Sequence, residues 1–252
     1  MSKLAANLGL WRSVLIYYGL PWRRRALARF YKQLIPHGSL VFDVGAHVGS
    51  RTRSLLANGA QCVAIEPQPI FAALLRRLYQ NNPRVSLVFD AVGREPGTAE
   101  LHVSSRHPTV STLSSDWLGR VGKTSGFEDV SWDKAVSVTV TTLDTLIEQH
   151  GIPAFCKIDV EGMEAEILAG LNVAIPIVAV EYIPATIDIA IDCINRLESL
   201  GPYQYNLSSG ESHTMSFERW LDATEIKTQL QSIASSSTTS GDLYARLPTM
   251  PG

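Results

Sequence analysis

The chain has 252 residues, of which 45% are hydrophobic, and its formal net charge at pH 7 is −2. This length fits one sizeable α/β domain, and the slight negative charge speaks against a partner such as nucleic acid. No apolar run approaches the ~18 residues of a membrane span, and the N-terminus lacks a clean signal peptide. Three well-separated cysteines indicate buried thiols in a cytoplasmic protein rather than a zinc site. They are Cys62, Cys156 and Cys193.

The first 36 residues form a basic and aromatic arm, predicted as two helices over residues 4–20 and 22–34. The arm carries seven basic residues and no acidic one, whereas the remaining chain has 15 basic and 24 acidic residues. We expect the arm to pack on the remaining domain, residues 37–252, or to cover its ligand cleft. A peripheral contact with an anionic surface and a homo-oligomer are left open.

A buried strand over residues 40–43 ends in Asp43 and is followed by the turn Gly-Ala-His-Val-Gly, residues 45–49. A strand that ends in an acid and a glycine turn and then opens a helix is typical of nucleotide binding. A dinucleotide loop would have glycine where Ala46 stands. An acid would repel a pyrophosphate but attract an α-ammonium group, so this loop favours S-adenosylmethionine.

A second strand, residues 61–65, ends in Glu66 and Pro67. Glu66 follows Asp43 by 23 positions, close to the offset of about 20 at which an acid meets ribose hydroxyls. A third strand, residues 85–89, precedes Asp90 and Ala91, and Asp90 is expected to accept from the adenine amino group. The alternative for Asp90 is a plain turn residue.

The remaining elements alternate between strands and helices, which predicts a parallel sheet covered on both faces. Predicted strands are 98–103, 136–140, 155–159, 175–181, 203–207 and 243–247, and predicted helices are 70–80, 143–150 and 187–200. Residues 104–134 lack periodicity and are predicted to be a lid or substrate-recognition insertion. Residues 235–241 are predicted to be a flexible loop.

A second group of acids follows the strand 155–159 in the run Lys-Ile-Asp-Val-Glu-Gly, residues 157–162. Ligands of open α/β sheets bind beyond the carboxyl ends of the strands. Five acids should therefore converge on one edge: Asp43, Glu66, Asp159, Glu161 and Glu181. Glu164 and Glu166 are predicted to be first-turn partners of a helix dipole, and Gly162 to leave room for an approaching acceptor.

Taken together, the segments 42–46, 65–67, 142–144 and 157–162 resemble the FkbM family of S-adenosylmethionine-dependent methyltransferases. The resemblance covers residues 39–246. It implies a Rossmann-like class I methyltransferase fold, with a seven-stranded, mostly parallel sheet whose last strand is antiparallel. It also implies O-methylation of a sugar, a polyketide or another secondary metabolite. The family usually has Asn where this chain has His47. The expected cofactor-binding residues are Asp43, Gly45, Ala46, His47, Gly49, Thr52, Glu66, Pro67, Asp90, Ala91 and Asp159.

Methyl transfer to a hydroxyl needs a base for the departing proton. The favoured candidates are Asp159 and Glu161, with Glu181 and three histidines, His47, His107 and His213, as alternatives. A divalent metal that bridges the acids and the acceptor oxygen is left open. Two other functions are weighed. One is a non-catalytic protein that binds S-adenosylmethionine or acts as a scaffold, and the less favoured one is a nucleic-acid methyltransferase.

Overall fold

The computed structural model describes residues 21–122, 124, 127 and 129–248, with the backbone alone for residues 21–24. The helix predicted over residues 4–20 lies outside the described residues. The second helix of the arm is present as α1, Pro21–Leu34. Within the described part of the chain, no helix has both the length and the apolar character to cross a membrane.

A seven-stranded sheet forms the centre of the molecule. Its strands are β1 (Leu40–Val44), β2 (Gln61–Ile65), β3 (Val85–Val88), β7 (Phe155–Ile158), β8 (Ile177–Tyr182), β9 (Gln204–Ser209) and β10 (Gly241–Arg246). Their order across the sheet is β3-β2-β1-β7-β8-β10-β9. β1 is central, pairs in parallel with β2 and β7, and is buried along most of its length. Such strands read as continuous apolar runs, which is why their positions could be predicted.

The last strand, β10, runs antiparallel to both of its neighbours, β8 and β9. The predicted seven-stranded sheet with an antiparallel last strand is thus confirmed. Because β10 begins opposite the end of β8, its first residues, Gly241 and Asp242, lie beside Tyr182 and Glu181. An element predicted only as a closing strand therefore contributes side chains to the edge where the parallel strands end.

A smaller sheet contains the strands predicted over residues 98–103 and 136–140 and one further strand, in the order β4-β6-β5. The strands are β4 (Ala91–Val92), β5 (Gly97–Val103) and β6 (Lys134–Thr141). Between β5 and β6, the insertion is more structured than predicted. It contains a 3-10 turn, Pro108–Val110, and the helix α4, Ser115–Val121. Ser114 is the N-cap of α4, and its side chain accepts a hydrogen bond from the Trp117 N–H. Trp117 is fully buried, so this segment packs as part of the domain.

Helices cover both faces of the main sheet. They are α2 (Ser50–Ala57), α3 (Pro69–Tyr79), α5 (Leu143–His150), α6 (Glu164–Ala169), α7 (Ile187–Leu200) and α8 (Ala223–Ser236). One apolar cluster joins the sheet to α5, α6, α7 and α8. A second cluster joins it to α1, α2 and α3, and Phe30 and Tyr31 of α1 are buried there. α8 was not predicted, and it extends through Ser236 into residues predicted to be a flexible loop.

Candidate active site

The loop after β1 forms the turn that its sequence predicts. Gly45 has φ +80° and Gly49 has φ +77°, a left-handed conformation that glycine adopts without steric cost. The N–H groups of Gly45 and Ala46 both donate to the Ile65 carbonyl oxygen at 3.0 Å. The loop is thereby tied to the end of β2, and α2 begins directly after Gly49.

Glycine is required at position 45 for a reason that the sequence did not reveal. A Cβ atom there would lie 1.9 Å from the carbonyl oxygen of Asp159. The loops after β1 and β7 are therefore in direct backbone contact. The two motifs that were identified separately in the sequence form one structural unit.

His47 also has a left-handed backbone, with φ +48°. Its N–H donates to Glu66 Oε2 at 2.9 Å. Asn, Asp and His are the side chains most enriched in this conformation. His47 can therefore replace the Asn that the family usually has here without straining the backbone.

Glu66 is held by backbone donors on both oxygens. Oε1 accepts from the Gln68 N–H at 2.9 Å, and Oε2 accepts from His47. Burial raises the pKa of Glu66, although His47 and the two N–H donors oppose that shift. Each carboxylate oxygen has two lone pairs, so both oxygens keep acceptor capacity for a ligand.

Asp43 lies beneath the loop and is fully buried. Its Oδ2 accepts from the Thr52 hydroxyl at 2.6 Å, while Oδ1 has no hydrogen-bond donor among the described residues. The nearest cation is Arg51, whose Nη1 is 3.9 Å from Oδ1. Asp43 and Thr52 thus fix the start of α2. Their predicted direct contact with the cofactor stays a prediction.

Arg51 and Lys157 are two cations that the sequence analysis did not assign. Arg51 donates through both terminal nitrogens to Asp159 Oδ2, at 3.1 and 3.0 Å. The fully buried Lys157 donates to Asp242 Oδ1 at 2.5 Å and lies 3.9 Å from Asp159 Oδ2. Burial alone would raise the pKa of Asp159, but Lys157 and Arg51 outweigh it and lower that pKa.

A lysine inside an apolar strand was a usable signal, because a buried ammonium group needs a carboxylate partner. The sequence could not name Asp242 as that partner, since 85 positions separate the two residues along the chain.

The loop after β7 presents the remaining carboxylates. Glu161 has φ +59°, and the Thr112 hydroxyl donates to its carbonyl oxygen at 2.6 Å. The sequence predicted that Gly162 would leave room for an acceptor, and this prediction is wrong. A Cβ atom there would lie 2.3 Å from the Trp117 ring, so α4 fills that space. Glu164 accepts from the N–H groups of Val160 and Gly162.

Three of the five predicted acids form a cluster at this edge. One carboxylate oxygen from each of Asp159, Glu161 and Glu181 lies within 4.8 Å of the others. Burial is the main cause that raises the pKa of Glu161 and of Glu181 well above the ordinary value, and the neighbouring carboxylates add to it. The cluster therefore combines an acid of lowered pKa with two acids of raised pKa.

Two adjoining cavities contact these groups. The larger has a volume of about 330 Å³ and is lined by all three clustered acids, and Tyr31 and Asp242 also face it. The smaller has about 40 Å³ and is lined by Glu66, Pro67 and Ala91 among others. Both cavities share three lining residues, which are Gly45, His47 and Asp159.

The predicted cofactor residues divide between these cavities. Ala46 lines the larger one. Gly49 instead faces Leu75 and Tyr79 of α3, where it permits close helix packing. Asp90 is half-buried and is not among the lining residues of either cavity. Its adenine contact stays a prediction.

A seven-stranded sheet of this order, with its acids at the carboxyl ends of the parallel strands, defines a class I methyltransferase fold. Residues 43–230 match the family model described as the methyltransferase FkbM domain. The chain belongs to this family of S-adenosylmethionine-dependent methyltransferases.

Several solved structures are similar in fold. A precorrin-6Y C5,15-methyltransferase from Geobacter metallireducens is 13% identical with a TM-score of 0.41, over 89% of this chain and 88% of that one. A TehB-like SAM-dependent methyltransferase from Corynebacterium glutamicum is 12% identical with a TM-score of 0.40, over 88% of both chains. An rRNA methylase from Streptococcus thermophilus is 10% identical with a TM-score of 0.42, over 87% of this chain and 92% of that one. No curated protein sequence matches significantly. At these values the structural similarities carry nothing about substrate or mechanism.

Proposed function

We propose that the protein transfers the methyl group of S-adenosylmethionine to a hydroxyl group of a sugar, a polyketide or a similar small molecule. The observation that carries this proposal is the carboxylate cluster on the wall of the larger cavity, formed by Asp159, Glu161 and Glu181. A hydroxyl acceptor must lose a proton, and burial raises the pKa of two of these acids, Glu161 and Glu181, well above the ordinary value.

We assign the ribose of the cofactor to Glu66 and its methionine part to the boundary between the cavities, at Gly45, His47 and Asp159. The acceptor capacity of Glu66 supports the first assignment. The negative charge of Asp159 supports the second, because the cofactor carries a sulfonium and an ammonium group. The smaller cavity is well below the roughly 300 Å³ of typical ligand pockets. An adenosine group would therefore have to widen it, against Ser111 and Leu113 of the insertion.

Bound S-adenosylmethionine supplies an activated methyl group, so the protein's own task is alignment and proton removal. As the acceptor oxygen bonds to the methyl carbon, the carbon–sulfur bond breaks and its electron pair stays on sulfur. The hydroxyl proton passes to a carboxylate oxygen of the protein. A positioned base of this kind contributes about 10²- to 10⁴-fold in rate.

We favour Glu161 as that base, with Glu181 as the alternative. Of the two candidates favoured from the sequence, Asp159 is the weaker base because Arg51 and Lys157 lower its pKa. A base works best when its pKa lies near the operating pH. Asp159 is better suited to orient Arg51 and to face the positive charge of the cofactor.

The acceptor would occupy the larger cavity, whose outer wall comes from segments beyond the central fold. These segments contribute Leu27 and Tyr31 from α1, and Thr109 and Val110 from the insertion. An aromatic ring beside polar groups suits the mixed faces of a sugar or polyketide. We also propose a cytoplasmic location, which is supported by the three buried, free cysteines.

Calorimetry with S-adenosylmethionine and its demethylated product, followed by a methyl-transfer assay on sugar and polyketide panels, tests the proposal. Glu161→Gln should lower kcat while cofactor affinity stays within about twofold, because the lost interaction belongs to the transition state. Asp159→Asn should weaken cofactor binding as well. Cofactor binding without methyl transfer to any acceptor class would favour a non-catalytic binding protein. Tight NAD binding with no response to S-adenosylmethionine would overturn the proposal.

A further inference from the structure

We infer that Asp159, Glu161 and Glu181 bind a divalent cation with a preference for oxygen ligands, of the Mg²⁺ or Mn²⁺ type. Cation binding follows from the side chains alone. Its catalytic role, which is to hold the acceptor oxygen, rests on the proposed methyl transfer.

The spacing of the three carboxylates fits one ion. Their ligand oxygens all lie within 4.8 Å of one another. Metal–oxygen distances of about 2.1 to 2.4 Å place ligands on opposite sides of a cation about 4.2 to 4.8 Å apart. Oxygen-only ligand sets select Mg²⁺, Ca²⁺ or Mn²⁺ over softer metals. Small side-chain movements would complete the site.

Glu161 provides an independent indication of a ligand. The residue is only 9% exposed and lines the larger cavity. No described residue donates a hydrogen bond to its carboxylate. The carboxylate is open to the cavity, and a cation there would supply the partner that no described residue supplies.

The charges around the cluster also call for an added cation. The guanidinium of Arg51 is engaged with Asp159 Oδ2, and Lys157 donates to Asp242. Glu161 and Glu181 have no basic partner among the ion pairs of the described residues. Because Arg51 uses Oδ2 of Asp159, its Oδ1 atom remains for a metal ion.

A cation at this position would assist the proposed reaction without replacing the base. Binding to a divalent ion lowers the pKa of a hydroxyl group. A carboxylate that ligates through one oxygen keeps its second oxygen for the departing proton. A bound cation lowers the pKa of Glu161 as well as that of the hydroxyl, so proton transfer to the second oxygen of Glu161 would then depend on the lowered pKa of the hydroxyl.

Electron paramagnetic resonance of Mn²⁺ with the full-length protein tests the site without cofactor or acceptor. We expect one bound Mn²⁺ per chain, displaced by excess Mg²⁺. Glu161→Gln and Glu181→Gln should each weaken Mn²⁺ binding at least tenfold. Glu211→Gln, which removes a carboxylate from the same cavity but outside the cluster, should change it less than twofold.

Absence of bound Mn²⁺ in the wild-type protein would overturn the inference, and this result does not depend on how well any variant folds. Equal Mn²⁺ binding by the three variants would also overturn it. Methyl transfer that proceeds in EDTA at the same rate would overturn the catalytic role of the cation but leave the proposed function intact. Mn²⁺ binding in a protein that transfers no methyl group would support the site and contradict the proposed function.

Discussion

The carboxylate cluster and the neighbouring Asp242 have two sides that differ in how their charge is balanced. On the paired side, Asp159 and Asp242 accept hydrogen bonds from Arg51 and Lys157. On the unpaired side, Glu161 and Glu181 form no ion pair with a described residue, and burial raises the pKa of Glu161. Acids a few ångströms apart thus have pKa values that shift in opposite directions. The immediate neighbours of each acid decide its role.

The difference arises from the sheet. Lys157 belongs to β7, and Asp242 belongs to β10, which inserts antiparallel beside β8. The antiparallel strand thus delivers the counter-charge that keeps a buried lysine ionised. Glu161 lies beyond the end of β7, in a left-handed turn held by Thr112. Glu161 forms no ion pair with Lys157 among the described residues.

The largest expected effect comes from breaking the paired side. Lys157→Met should lower the free energy of unfolding by about 3 to 5 kcal/mol, since it leaves Asp242 without its buried cation and Asp159 with Arg51 alone. Urea denaturation measures this loss. Lys227→Met is the matched control, because Lys227 is partly exposed and its ammonium group donates to the neutral side chain of Asn195. It should cost less than about 0.5 kcal/mol. Similar small losses in both variants would contradict the role of Lys157.

Glu164 is a buried carboxylate whose hydrogen-bond partners are backbone N–H groups instead of a cation. Burial raises its pKa to about 7 despite the N–H donors of Val160 and Gly162. A carboxyl whose folded pKa is above its unfolded value of about 4.5 holds its proton more tightly when folded. It therefore stabilises the fold at low pH, and this stability is lost as pH rises from 4.5 to 7.

The loss amounts to about 3 kcal/mol over that range, at 1.36 kcal/mol per pH unit. Denaturation curves at pH 4.5 and pH 7 should show a smaller decrease for Glu164→Gln than for the wild type. An unchanged pH dependence in the variant would show that Glu164 ionises normally. Glu95→Gln, on the exposed surface, controls for a general effect of one removed acid.

Glu66 is a third kind of carboxylate, because it accepts hydrogen bonds from two backbone N–H groups and is assigned to the ribose of the cofactor. Glu66→Gln should weaken S-adenosylmethionine binding by about 1.5 to 3 kcal/mol, the worth of a charge-assisted hydrogen bond. Calorimetry measures this change, and the melting temperature of the variant shows whether the loop has survived. Wild-type affinity in a folded variant would remove Glu66 from the ribose site.

Much of the fold could be predicted because its strands are buried and apolar. β2, α5 and α7 have the predicted bounds, and other strand ends differ by one or two residues. The missed helix α8 had a sequence signature, since Asp222 and Glu225 form a capping box at its start. Runs of serine at its end favoured the prediction of a loop instead.

The site was only partly predictable. Acids at strand ends could be placed on one edge, because parallel strands end together. Whether an acid would be paired could not be predicted, since its partners come from distant parts of the chain. Gly162 shows the same limit, because a glycine in the sequence does not reveal that Trp117 packs against it.

The pH titration of the side-chain carboxyl groups by ¹³C NMR, with chelator present, tests the division into paired and unpaired acids most directly. Signals are assigned with Asp159→Asn, Glu161→Gln and Glu181→Gln. We predict that Glu161 and Glu181 take up protons well above the ordinary pKa of a glutamate, while Asp159 stays ionised below the ordinary pKa of an aspartate. Ordinary pKa values for all three acids, or a raised value for Asp159, would contradict the account.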